Sequence, residues 1–539
     1  HRSPSKMASL ESAAEDTRRE TDESRRDTDD SRRDSTRSSV GGDILKYKHL
    51  YGQPNKKADT FYNLKPAVNI SMEAPLITTT HEFWACPWSG GGGPVYISSH
   101  GAFGKVEPST VHVVNGHKSP AISLGFSPFR LPDGGSLLAT GADDQHIKLW
   151  NVPKGGLTKS LGNEDCIDLS GHYYGIRALE YHPTANILVS GGGSNELFFW
   201  DLETNTKMSG NPSNGLGDSA TGLGGSEGGE ASICNMSFNY DGSLLALATK
   251  NSSAKIFDPR EGVVTSEAGV SDNRAQRVQW CSNFGGTDVL LTVGSMAGGR
   301  GRQMSLWDPR NLSKPTIKKK VDAATGQLFP IYDEGTGVVL LSGRGDTTIK
   351  VFELGVSCAK MAQCSDVMLG GTDPLCGLAK MPTQCCDVRN VETMRLLRLT
   401  QSAVDPISFI LPRSDALKEY FQDDLFRDCR SPSSTLSVTE WMENQNKEPA
   451  RESLQPEGLP PLSEKPPEEK RVSNASKLKA EIIEKEKEQE DTNAMMERLQ
   501  GLAKQRAAYH PNNSMGAKKG VDATPIYDSD DGGWSDDDN

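Results

Sequence analysis

Residues 137–152 read LLATGADDQHIKLWNV, and four later stretches repeat that pattern. The repeats are ILVSGGGSNELFFWDL (187–202), LLALATKNSSAKIFDP (244–259), LLTVGSMAGGRGRQMSLWDP (290–309) and LLSGRGDTTIKVFEL (340–354). Each has an apolar strand, a turn with Gly or Ser, and an alternating strand that ends in an aromatic residue. The aromatic residues lie 50, 57, 50 and 45 positions apart, at Trp150, Trp200, Phe257, Trp307 and Phe352. A repeat of this length predicts a fold assembled from repeated sheets.

The spacing and the closing aromatic residue are typical of the WD repeat, which forms one four-stranded blade of a β-propeller. One blade opens with the Gly-His pair of that repeat, Gly116-His117. In a WD blade this histidine lies deep between strands, where it binds a hydroxyl group and a turn aspartate beside the closing tryptophan. We therefore expect His117 to bind Thr140 and Asp144 next to Trp150, as a structural network. A catalytic histidine is the less favoured alternative.

The following blade opens with Gly171-His172 and closes with Trp200. Ser194 stands where the turn aspartate belongs, and a serine carries no charge. We expect the network around His172 to be incomplete. His172 and Trp200 are nevertheless assigned to the fold rather than to catalysis.

Two further blades complete a ring of seven. Residues 71–106 supply two or three alternating strands for a sixth blade, and residues 376–412 supply a seventh. The lead strand, residues 44–52, can pair with the last blade and close the ring, which removes exposed sheet edges. The Gly/Ser-rich run 211–229 is a flexible insertion between blades. The sequence thus predicts an all-β fold, a seven-bladed WD-repeat β-propeller.

Composition separates the propeller from its flanks. Residues 17–39 contain no apolar side chain, and residues 447–472 are rich in Pro, Glu and Lys, so neither stretch can build a core. Aromatic residues mixed with charge over 413–445 are typical of an arm that packs on a larger domain. We predict six segments: a disordered charged leader (1–42), the propeller (43–412), a C-terminal arm packed on it (413–446), a disordered linker (447–472), a coiled coil (473–508) and a disordered acidic tail (509–539).

Residues 475–506 are mostly good helix formers. One heptad register places Ala475, Ile482, Gln489, Met496 and Ala503 at a, and Leu478, Lys485, Thr492, Leu499 and Arg506 at d. The middle of that seam is polar, so it predicts a weak homo-oligomeric coiled coil and leaves dimer and trimer open. The alternative is a solvated charged helix.

The chain of 539 residues carries a formal net charge of −13, which argues against indiscriminate binding to nucleic acid. It has no apolar run of about 18 residues, so no membrane span is expected. The ten cysteines lack the CxxC spacing of a zinc site, and buried thiols in a reducing cytoplasm are expected. No phosphate loop, nucleophile elbow or HExxH motif occurs. We expect no metal, no cofactor and no catalysis; an enzyme with its site in the propeller channel is the alternative.

Two stretches that flank the blades resemble the coronin family. DILKYKHLYGQPNKKADTFYNL (43–64) is similar to the opening signature of coronins: a basic-aromatic strand, then Gly-Gln-Pro, then a Tyr. Residues 377–442, with DPISFILPRSDALKEYFQDDLF and LSVTEWM, are similar to their post-propeller segment. The resemblance implies a non-enzymatic, cytoplasmic protein of the actin cytoskeleton that binds actin filaments, regulates their organisation and turnover, and oligomerises through the coiled coil. The alternative is a WD-repeat scaffold for another multiprotein complex.

The resemblance also suggests where actin binds. In coronins an arginine shortly after the Tyr of the opening signature contributes to filament binding. The nearest match here is Lys65, three residues after Tyr62, which differs in residue type and lies one residue closer. The same basic stretch contains four more candidates, Lys46, Lys48, Lys56 and Lys57. The alternative for each is a solvated surface lysine.

The last residues, YDSDDGGWSDDDN (527–539), place one tryptophan among six aspartates. They resemble the acidic segments through which nucleation-promoting factors bind the actin-related-protein branching complex. In that mode Trp534 would enter a pocket, and nearby carboxylates, among them Asp530, Asp531, Asp536 and Asp537, would steer toward a basic rim. The alternative is a solubilising tail whose tryptophan is incidental.

Overall fold

A computed structural model describes residues 46–69, 74–208, 232–250, 253–269, 277–282, 288–296, 299, 301–355, 360–370, 373–465 and 474–508. Within these ranges seven sheets form the blades of a propeller, and the first strand of every blade lines a central channel. The predicted all-β, seven-bladed propeller is confirmed. The predicted leader (1–42), insertion (211–229) and acidic tail (509–539) lie outside the described residues.

The first four blades follow one another along the chain as antiparallel sheets. Blade 1 contains Thr78–Thr79, Phe83–Pro87, Val95–Ser99 and Val113–Val114. Blade 2 contains Ala121–Arg130, Ser136–Ala142, His146–Val152 and Ile167–Ser170. Blade 3 contains Ile176–Tyr181, Ile187–Gly192, Leu197–Asp201 and Thr206–Lys207. Blade 4 contains Ile233–Phe238, Leu245–Thr249, Ser253–Asp258 and Val263–Gly269.

The last three blades complete the ring. Blade 5 contains Arg277–Ser282, Asp288–Ser295, Arg302–Trp307 and Ile317–Asp322. Blade 6 contains Leu328–Asp333, Val338–Gly343, Thr348–Leu354, Met361–Gln363 and Val367–Met368. Blade 7 contains Gly377–Lys380, Glu392–Leu399 and Ala403–Ile410, followed by the N-terminal strands Tyr51–Pro54 and Phe61–Tyr62. Short 3₁₀ helices include Lys57–Asp59, Pro108–Thr110, Asn163–Asp165, Gly193–Asn195, Thr383–Cys385, Val388–Asn390 and Leu462–Glu464.

The five aromatic residues that close the sequence repeats are all buried within the blades. Each ends the third strand of its blade or lies near that end, where the strand's alternating side chains point between neighbouring sheets. Because successive side chains of a strand point to opposite faces, one alternating stretch supplies apolar groups to both inter-blade interfaces. This is the packing that the repeated pattern predicts.

The ring closes through N-terminal residues, but not over the predicted range. Residues 46–49 form a turn, and the pairing strand begins at Tyr51, opposite Ile410. A second piece, Phe61–Tyr62, pairs with the other end of the same strand, at Val404 and Ala403. The prediction of a strand from 44 to 52 is therefore wrong for 46–50. Tyr47 and Leu50 are buried anchors of a turn rather than positions of an alternating strand.

Residues 71–106 supply three strands of blade 1, as predicted, and one strand to another blade. Gly104–Lys105 runs parallel to Phe61–Tyr62, the second piece of the closing strand, and belongs to blade 7. The fourth strand of blade 1 is Val113–Val114, which pairs with Val95–Tyr96. The predicted range therefore ended too early for blade 1.

After blade 7 the chain crosses one end of the propeller. Its two short helices are α1 (Asp415–Lys418) and α2 (Val438–Met442). Backbone atoms join it to blades 2 and 3: Arg130 N donates to Pro432 O at 3.0 Å, and Leu436 N donates to Thr184 O at 3.0 Å. Arg130 ends the first strand of blade 2 and Thr184 follows the first strand of blade 3, so we name this end the arm face. The opposite end, where the first strands begin, is the far face.

The chain stays on the arm face beyond residue 446, where the sequence predicted a linker. Cys429–Arg430 pairs with Arg451–Glu452 as a two-stranded sheet. The Arg451 guanidinium donates to Tyr240 Oη at 2.6 Å and to Glu334 at 3.1 Å. Residues up to Lys465 belong to the same compact unit as the propeller. The prediction of a linker rested on the low hydrophobicity of this stretch. Polar contacts and a few apolar groups, such as the buried Leu459, nevertheless hold residues 447–465 on the propeller.

A second unit contains one long helix, α3 (Asn474–Ala508). The sequence predicted this helix over 475–506, and α3 is longer by one residue at its N-terminal end and by two at its C-terminal end. Ile482, Met496 and Leu499, which the heptad register places at a and d, are 49%, 61% and 54% exposed in the single chain. No helix in the described ranges is long and apolar enough to cross a membrane.

Candidate protein-binding surface

The five predicted lysines lie before, along and after the closing strand, which is formed by Tyr51–Pro54 and Phe61–Tyr62. It runs from the arm face, where Tyr51 pairs with Ile410, to the far face, where Tyr62 pairs with Ala403. The seven steps between Ile410 and Ala403 span about 23 Å at about 3.3 Å per residue. Lys46 and Lys48 precede this strand, Lys56 and Lys57 lie along it, and Lys65 follows it. The structure therefore does not bring the five lysines into one patch.

Lys46 fastens the N-terminal turn to the arm. The carboxylate of Glu353 accepts hydrogen bonds from the backbone N–H groups of Lys46 and Tyr47, at 3.1 and 2.9 Å. The Lys46 ammonium donates to the carbonyl oxygen of Asp424 in the arm. Burial lowers the pKa of Lys46, although Asp424 opposes that shift. Lys46 is thus held by contacts with blade 6 and with the arm, and its predicted part in actin binding stays a prediction.

Lys65 lies exposed on the far face. Its carbonyl oxygen accepts from Ser89 N at 2.8 Å, and the next residue, Pro66, forms a bridge with Trp88. Both partners belong to the turn between the second and third strands of blade 1, so the Lys65 backbone is fixed. No carboxylate of the described residues lies within the 4.0 Å of an ion pair from its ammonium group. Lys48, Lys56 and Lys57 are also exposed.

The four residues predicted as a network in blade 2 lie together. His117 Nδ1 is 3.0 Å from Asp144 Oδ2, and His117 Nε2 is 2.8 Å from Thr140 Oγ1. The Trp150 indole donates to the same Thr140 oxygen at 3.0 Å. Burial alone would raise the pKa of Asp144, but hydrogen bonds from His117 and from the Lys118 backbone lower it to about 2. The four side chains thus satisfy one another's hydrogen bonds inside the blade.

The expected incomplete network of blade 3 is wrong, because Glu196 replaces the aspartate. His172 Nδ1 lies 3.0 Å from Glu196 Oε2, and His172 Nε2 lies 2.6 Å from Ser190 Oγ. The Trp200 indole completes the set by donating to Ser190 at 2.8 Å. Ser194 adopts a left-handed backbone (φ 55°) and only forms the turn. The longer glutamate side chain reaches the histidine from two positions further along, a displacement that motif spacing did not reveal.

Replacing Glu196 with alanine is expected to lower the free energy of unfolding by about 2–3 kcal/mol, since buried donors lose their acceptor. Its carboxylate serves His172 and the backbone N–H groups of Tyr173 and Tyr174, at 3.0–3.2 Å. The control is Glu203→Ala, the same change at an exposed site in this blade, which should cost less than about 0.5 kcal/mol. Urea unfolding measures both variants. Equal costs would contradict the assigned role of Glu196.

The arm is anchored by a tryptophan of α2. Trp441 is fully buried and stacks on Phe199, with ring centroids 6.3 Å apart. Its ring meets the edge of His182 at 5.3 Å, and the Arg260 guanidinium lies 5.7 Å from its centroid. The helix begins with a capping box between Ser437 and Glu440. The arm thereby extends the apolar core between blades 3 and 4.

His182, beneath Trp441, must be neutral in the folded protein. Its Nε2 donates to the Gly242 carbonyl oxygen at 3.0 Å, while its Nδ1 accepts from the backbone N–H of Ala185 at 3.0 Å. A second proton would sit on Nδ1 and remove that acceptor. Burial lowers the pKa of His182 to about 4.

This lowered pKa predicts acid destabilisation. The unfolded chain takes up the His182 proton near pH 6.5, whereas the folded chain resists it until about pH 4, so stability is lost as the pH falls between these values, by up to about 3 kcal/mol. Urea unfolding at pH 7, 5.5 and 4.5 should show a steeper loss in the wild type than in His182→Asn, whose side chain does not titrate. Parallel curves would contradict this assignment.

A central cavity of about 690 Å³ lies inside the ring, with the arm along one end. Lys380 Nζ and Asp333 Oδ1 are 2.6 Å apart in its wall. Burial favours the neutral amine, but the Asp333 carboxylate outweighs it and raises the pKa of Lys380, so this lysine is no base. Burial raises the pKa of Glu180 to about 8, which leaves it largely protonated at neutral pH. These two groups of the channel wall are thus a paired lysine and a carboxyl group whose burial favours its protonated form.

Blade 5 contains no histidine, but it has a buried arginine. Arg302 is 3% exposed, and its guanidinium lies 2.5 Å from Asp322 and 2.8 Å from Asp346. Asp346 belongs to the next blade, so this cation bridges blades 5 and 6. The sequence pointed only to a glycine-rich turn here, and no spacing rule marks such a bridge. Within the described ranges, no three His, Cys, Asp or Glu side chains lie close enough together to hold a metal ion.

Three family models match the chain. One described as “WD domain, G-beta repeat” matches residues 108–151 and 164–201, and one described as “Type of WD40 repeat” matches 404–449. A third, “Domain of unknown function (DUF1899)”, matches 45–105, which includes the closing strand and Lys65. The matched residues therefore include the N-terminal strands Tyr51–Pro54 and Phe61–Tyr62, and most of the strand Ala403–Ile410 with which they pair.

Individual relatives extend over most of the chain. Coronin-2A of Bos taurus is 31% identical over 79% of this chain and 77% of its own length. Coronin-like protein crn1 of Schizosaccharomyces pombe is 29% identical over 75% of this chain and 63% of its own length. The crystal structure of the WD40 domain from Toxoplasma gondii coronin superposes with a TM-score of 0.66 at 25% identity, covering 76% of this chain and 98% of that domain. At 31% identity to Coronin-2A of Bos taurus over more than three quarters of both chains, and with the propeller fold of a coronin domain, the chain belongs to the coronin family.

Proposed function

We propose that this protein binds actin filaments and regulates their organisation and turnover without catalysing a reaction. The observation that carries the proposal is membership of the coronin family, shown by 31% identity to Coronin-2A of Bos taurus over 79% of this chain. Coronins bind actin filaments through the propeller, and a rigid ring offers a broad surface for such a partner. On this proposal the protein works in the cytoplasm, at the actin cytoskeleton.

The far face supplies the proposed contact. Lys65 is exposed there on a fixed backbone, and the described residues offer its ammonium no carboxylate partner. Actin's outer surface is acidic, so such a cation gains an opposite charge on binding. Electrostatic attraction of this kind speeds association and weakens with salt. Lys48, Lys56 and Lys57 are exposed further along the closing segment and are proposed to contribute less.

Helix α3 is proposed to join copies of the chain. Ile482, Met496 and Leu499 lie on its predicted seam and remain exposed in the single chain. A parallel coiled coil would bury them, while the polar centre of the seam would keep the assembly weak. Two or three linked propellers would bind a filament more tightly than one, because the second contact becomes intramolecular.

The acidic tail is proposed to reach a second partner, the actin-related-protein branching complex. This proposal rests on the sequence of residues 527–539, with Trp534 as the anchor and the surrounding aspartates as the steering charges. A tail of this kind would link the filament-bound propeller to the site of branching.

The test of the filament contact is cosedimentation of the full chain with actin filaments. Lys65→Glu is expected to weaken binding about tenfold, because one attraction becomes a repulsion on an exposed surface. Lys360→Glu is the matched control: it makes the same charge change at an exposed site before the fourth strand of blade 6, at the arm-face end of the propeller, and should bind like the wild type. If both variants bound equally well, Lys65 would not belong to the site. If neither they nor the wild type pelleted, a WD-repeat scaffold for another complex would be the better account.

A further inference from the structure

Two adjacent tyrosines are exposed on the far face, where the chain enters blade 3. Tyr173 is 78% exposed, more than any other large apolar side chain among the described residues, and Tyr174 is 51% exposed. Both belong to residues 171–175, which precede the first strand of the blade and which we name the tyrosine loop. Exposed apolar side chains are common singly, but neighbouring ones form the kind of patch that marks a binding surface.

The backbone of the tyrosine loop is fixed by the next turn of the blade. The Glu196 carboxylate accepts hydrogen bonds from the N–H groups of Tyr173 and Tyr174, at 3.0 and 3.2 Å. Gly193 N donates to Gly175 O at 3.3 Å. A Cβ at Gly193 would lie 3.0 Å from that of Tyr174, so the missing side chain lets Tyr174 pack against the turn. A fixed loop has little conformational entropy to lose on binding, which favours affinity.

Neither tyrosine is covered from within the propeller. The described residues offer neither phenol group a hydrogen-bond partner, and no aromatic ring among them stacks on the pair. Neither tyrosine lines the central cavity, so a small molecule bound there would not cover them. A tyrosine supplies a large apolar ring with a polar tip and loses only two side-chain torsions when it is buried. The pair is therefore suited to anchor a protein partner.

Lys65 and the tyrosine loop lie on one continuous part of the far face. The Lys65 carbonyl oxygen accepts from Ser89 N, in the turn between the second and third strands of blade 1. Two residues further along that turn, Gly91 O accepts from Asn115 Nδ2 at 3.2 Å. Asn115 lies in the loop that enters blade 2, so these contacts join the far-face loops of blades 1 and 2.

The loop that enters blade 2 leads on to blade 3. Lys118 N donates to Asp144, in the turn between the second and third strands of blade 2, at 2.8 Å. The neighbouring Asp143 pairs with Arg177, in the first strand of blade 3, at 2.9 Å. A Cβ at Gly175 would overlap the Asp143 side chain, so the tyrosine loop packs directly against this turn. The far-face loops of blades 1 to 3 thus form one surface.

This surface combines positive charge with apolar area. Lys65 and Lys118 are exposed, and no carboxylate oxygen of the described residues lies within 4.0 Å of either ammonium group. Protein interfaces commonly place aromatic side chains at their buried centre and polar or charged groups at their rim. A matching partner is therefore a protein with an acidic surface and an apolar depression.

We propose that Tyr173 and Tyr174 are the apolar anchor of the surface that binds actin filaments, with Lys65 and Lys118 in its charged rim. This inference rests on the proposed function, which supplies a partner whose outer surface is acidic. The two kinds of side chain act on different steps: exposed lysines speed association, whereas aromatic rings that become buried slow dissociation. The lysines alone would give only a weak contact that salt abolishes.

The test is cosedimentation of the full chain with actin filaments at low and at high salt. Tyr173→Ala/Tyr174→Ala is expected to weaken binding about thirtyfold, the loss typical of a binding hot spot, and by the same factor at both salt concentrations. The loss in Lys65→Glu should instead shrink at high salt, because salt screens charges but not apolar contacts.

Two variants serve as controls. Tyr173→Phe/Tyr174→Phe keeps both rings and should bind within about fivefold of the wild type, since only hydroxyl groups are lost. Tyr51→Ala removes a tyrosine that is 44% exposed at the arm-face end of the closing strand, and should bind like the wild type. Thermal unfolding establishes that each variant is folded.

Equal binding by the wild type and Tyr173→Ala/Tyr174→Ala would overturn this inference and leave the proposed function intact. A loss that Tyr51→Ala matches, or one that disappears at high salt, would overturn it as well, because neither marks an apolar anchor on the far face. A wild type that does not pellet with filaments would overturn the proposed function itself and, with it, this contact.

Discussion

Trp441→Ala is expected to lower the free energy of unfolding by about 3–5 kcal/mol, the range for removing a fully buried aromatic side chain. The ring is enclosed by Phe199, His182 and Arg260, so its removal leaves a cavity among them. The loss also weakens α2, because Trp441 is one of its two buried side chains. Urea unfolding measures the free energy, and limited proteolysis reports release of the arm.

Trp441→Phe is the matched control for this prediction. The Trp441 indole N–H has no hydrogen-bond partner in the described residues, so phenylalanine loses volume but no polar contact. We expect a cost of about 1–2 kcal/mol, with the arm still resistant to proteolysis. If Trp441→Ala unfolded like the wild type and kept the arm protected, contacts such as the Arg451–Glu334 pair would be sufficient to hold the arm.

Arg302→Met is expected to cost about 3–4 kcal/mol, because removing one partner leaves buried charges uncompensated. Asp322 and Asp346 would face each other across the boundary of blades 5 and 6 without the guanidinium that now lies 2.5 and 2.8 Å from them. Burial raises the pKa of Asp322, but the hydrogen bond and charge of Arg302 outweigh it and lower that pKa, so losing Arg302 makes this carboxylate easier to protonate. The difference from the wild type should therefore shrink in acid. Urea unfolding at pH 7 and pH 4.5 measures both effects.

Arg177→Met is the matched control for the arginine bridge. Arg177 pairs with Asp143 at 2.9 Å, but the two side chains are 41% and 47% exposed. Water and salt screen such a pair, so its loss should cost less than about 1 kcal/mol. Similar costs for the two substitutions would mean that Arg302 stabilises no more than a surface ion pair does.

The repeated pattern predicted the number and type of blades because a blade is a local unit. Each apolar strand, turn and alternating strand lies within one short stretch, and Trp150 or Trp200 marks its end. The ring closure was predicted in kind but not in position. The residues of the turn, Tyr47 and Leu50, are as apolar as those of a strand, and only their three-dimensional neighbours distinguish the two.

The groups that the sequence did not reveal act between distant segments. Glu196 replaces a turn aspartate from two residues further along, and Arg302 binds an acid of the next blade. Trp441 belongs to the stretch that resembles the post-propeller segment of coronins, but its neighbour His182 lies 259 residues earlier in the chain. The basic stretch from Lys46 to Lys65 was contiguous in sequence, yet the closing strand carries it from the arm face to the far face. Periodicity contains no information on such pairings.

The central claim, that this coronin binds actin filaments, is tested most directly by cosedimentation of the full wild-type chain with filaments over a range of salt concentrations. We predict saturable binding at low salt that weakens as salt screens the cations of the far face. A chain that stays in the supernatant at every salt concentration, although folded, would contradict the claim.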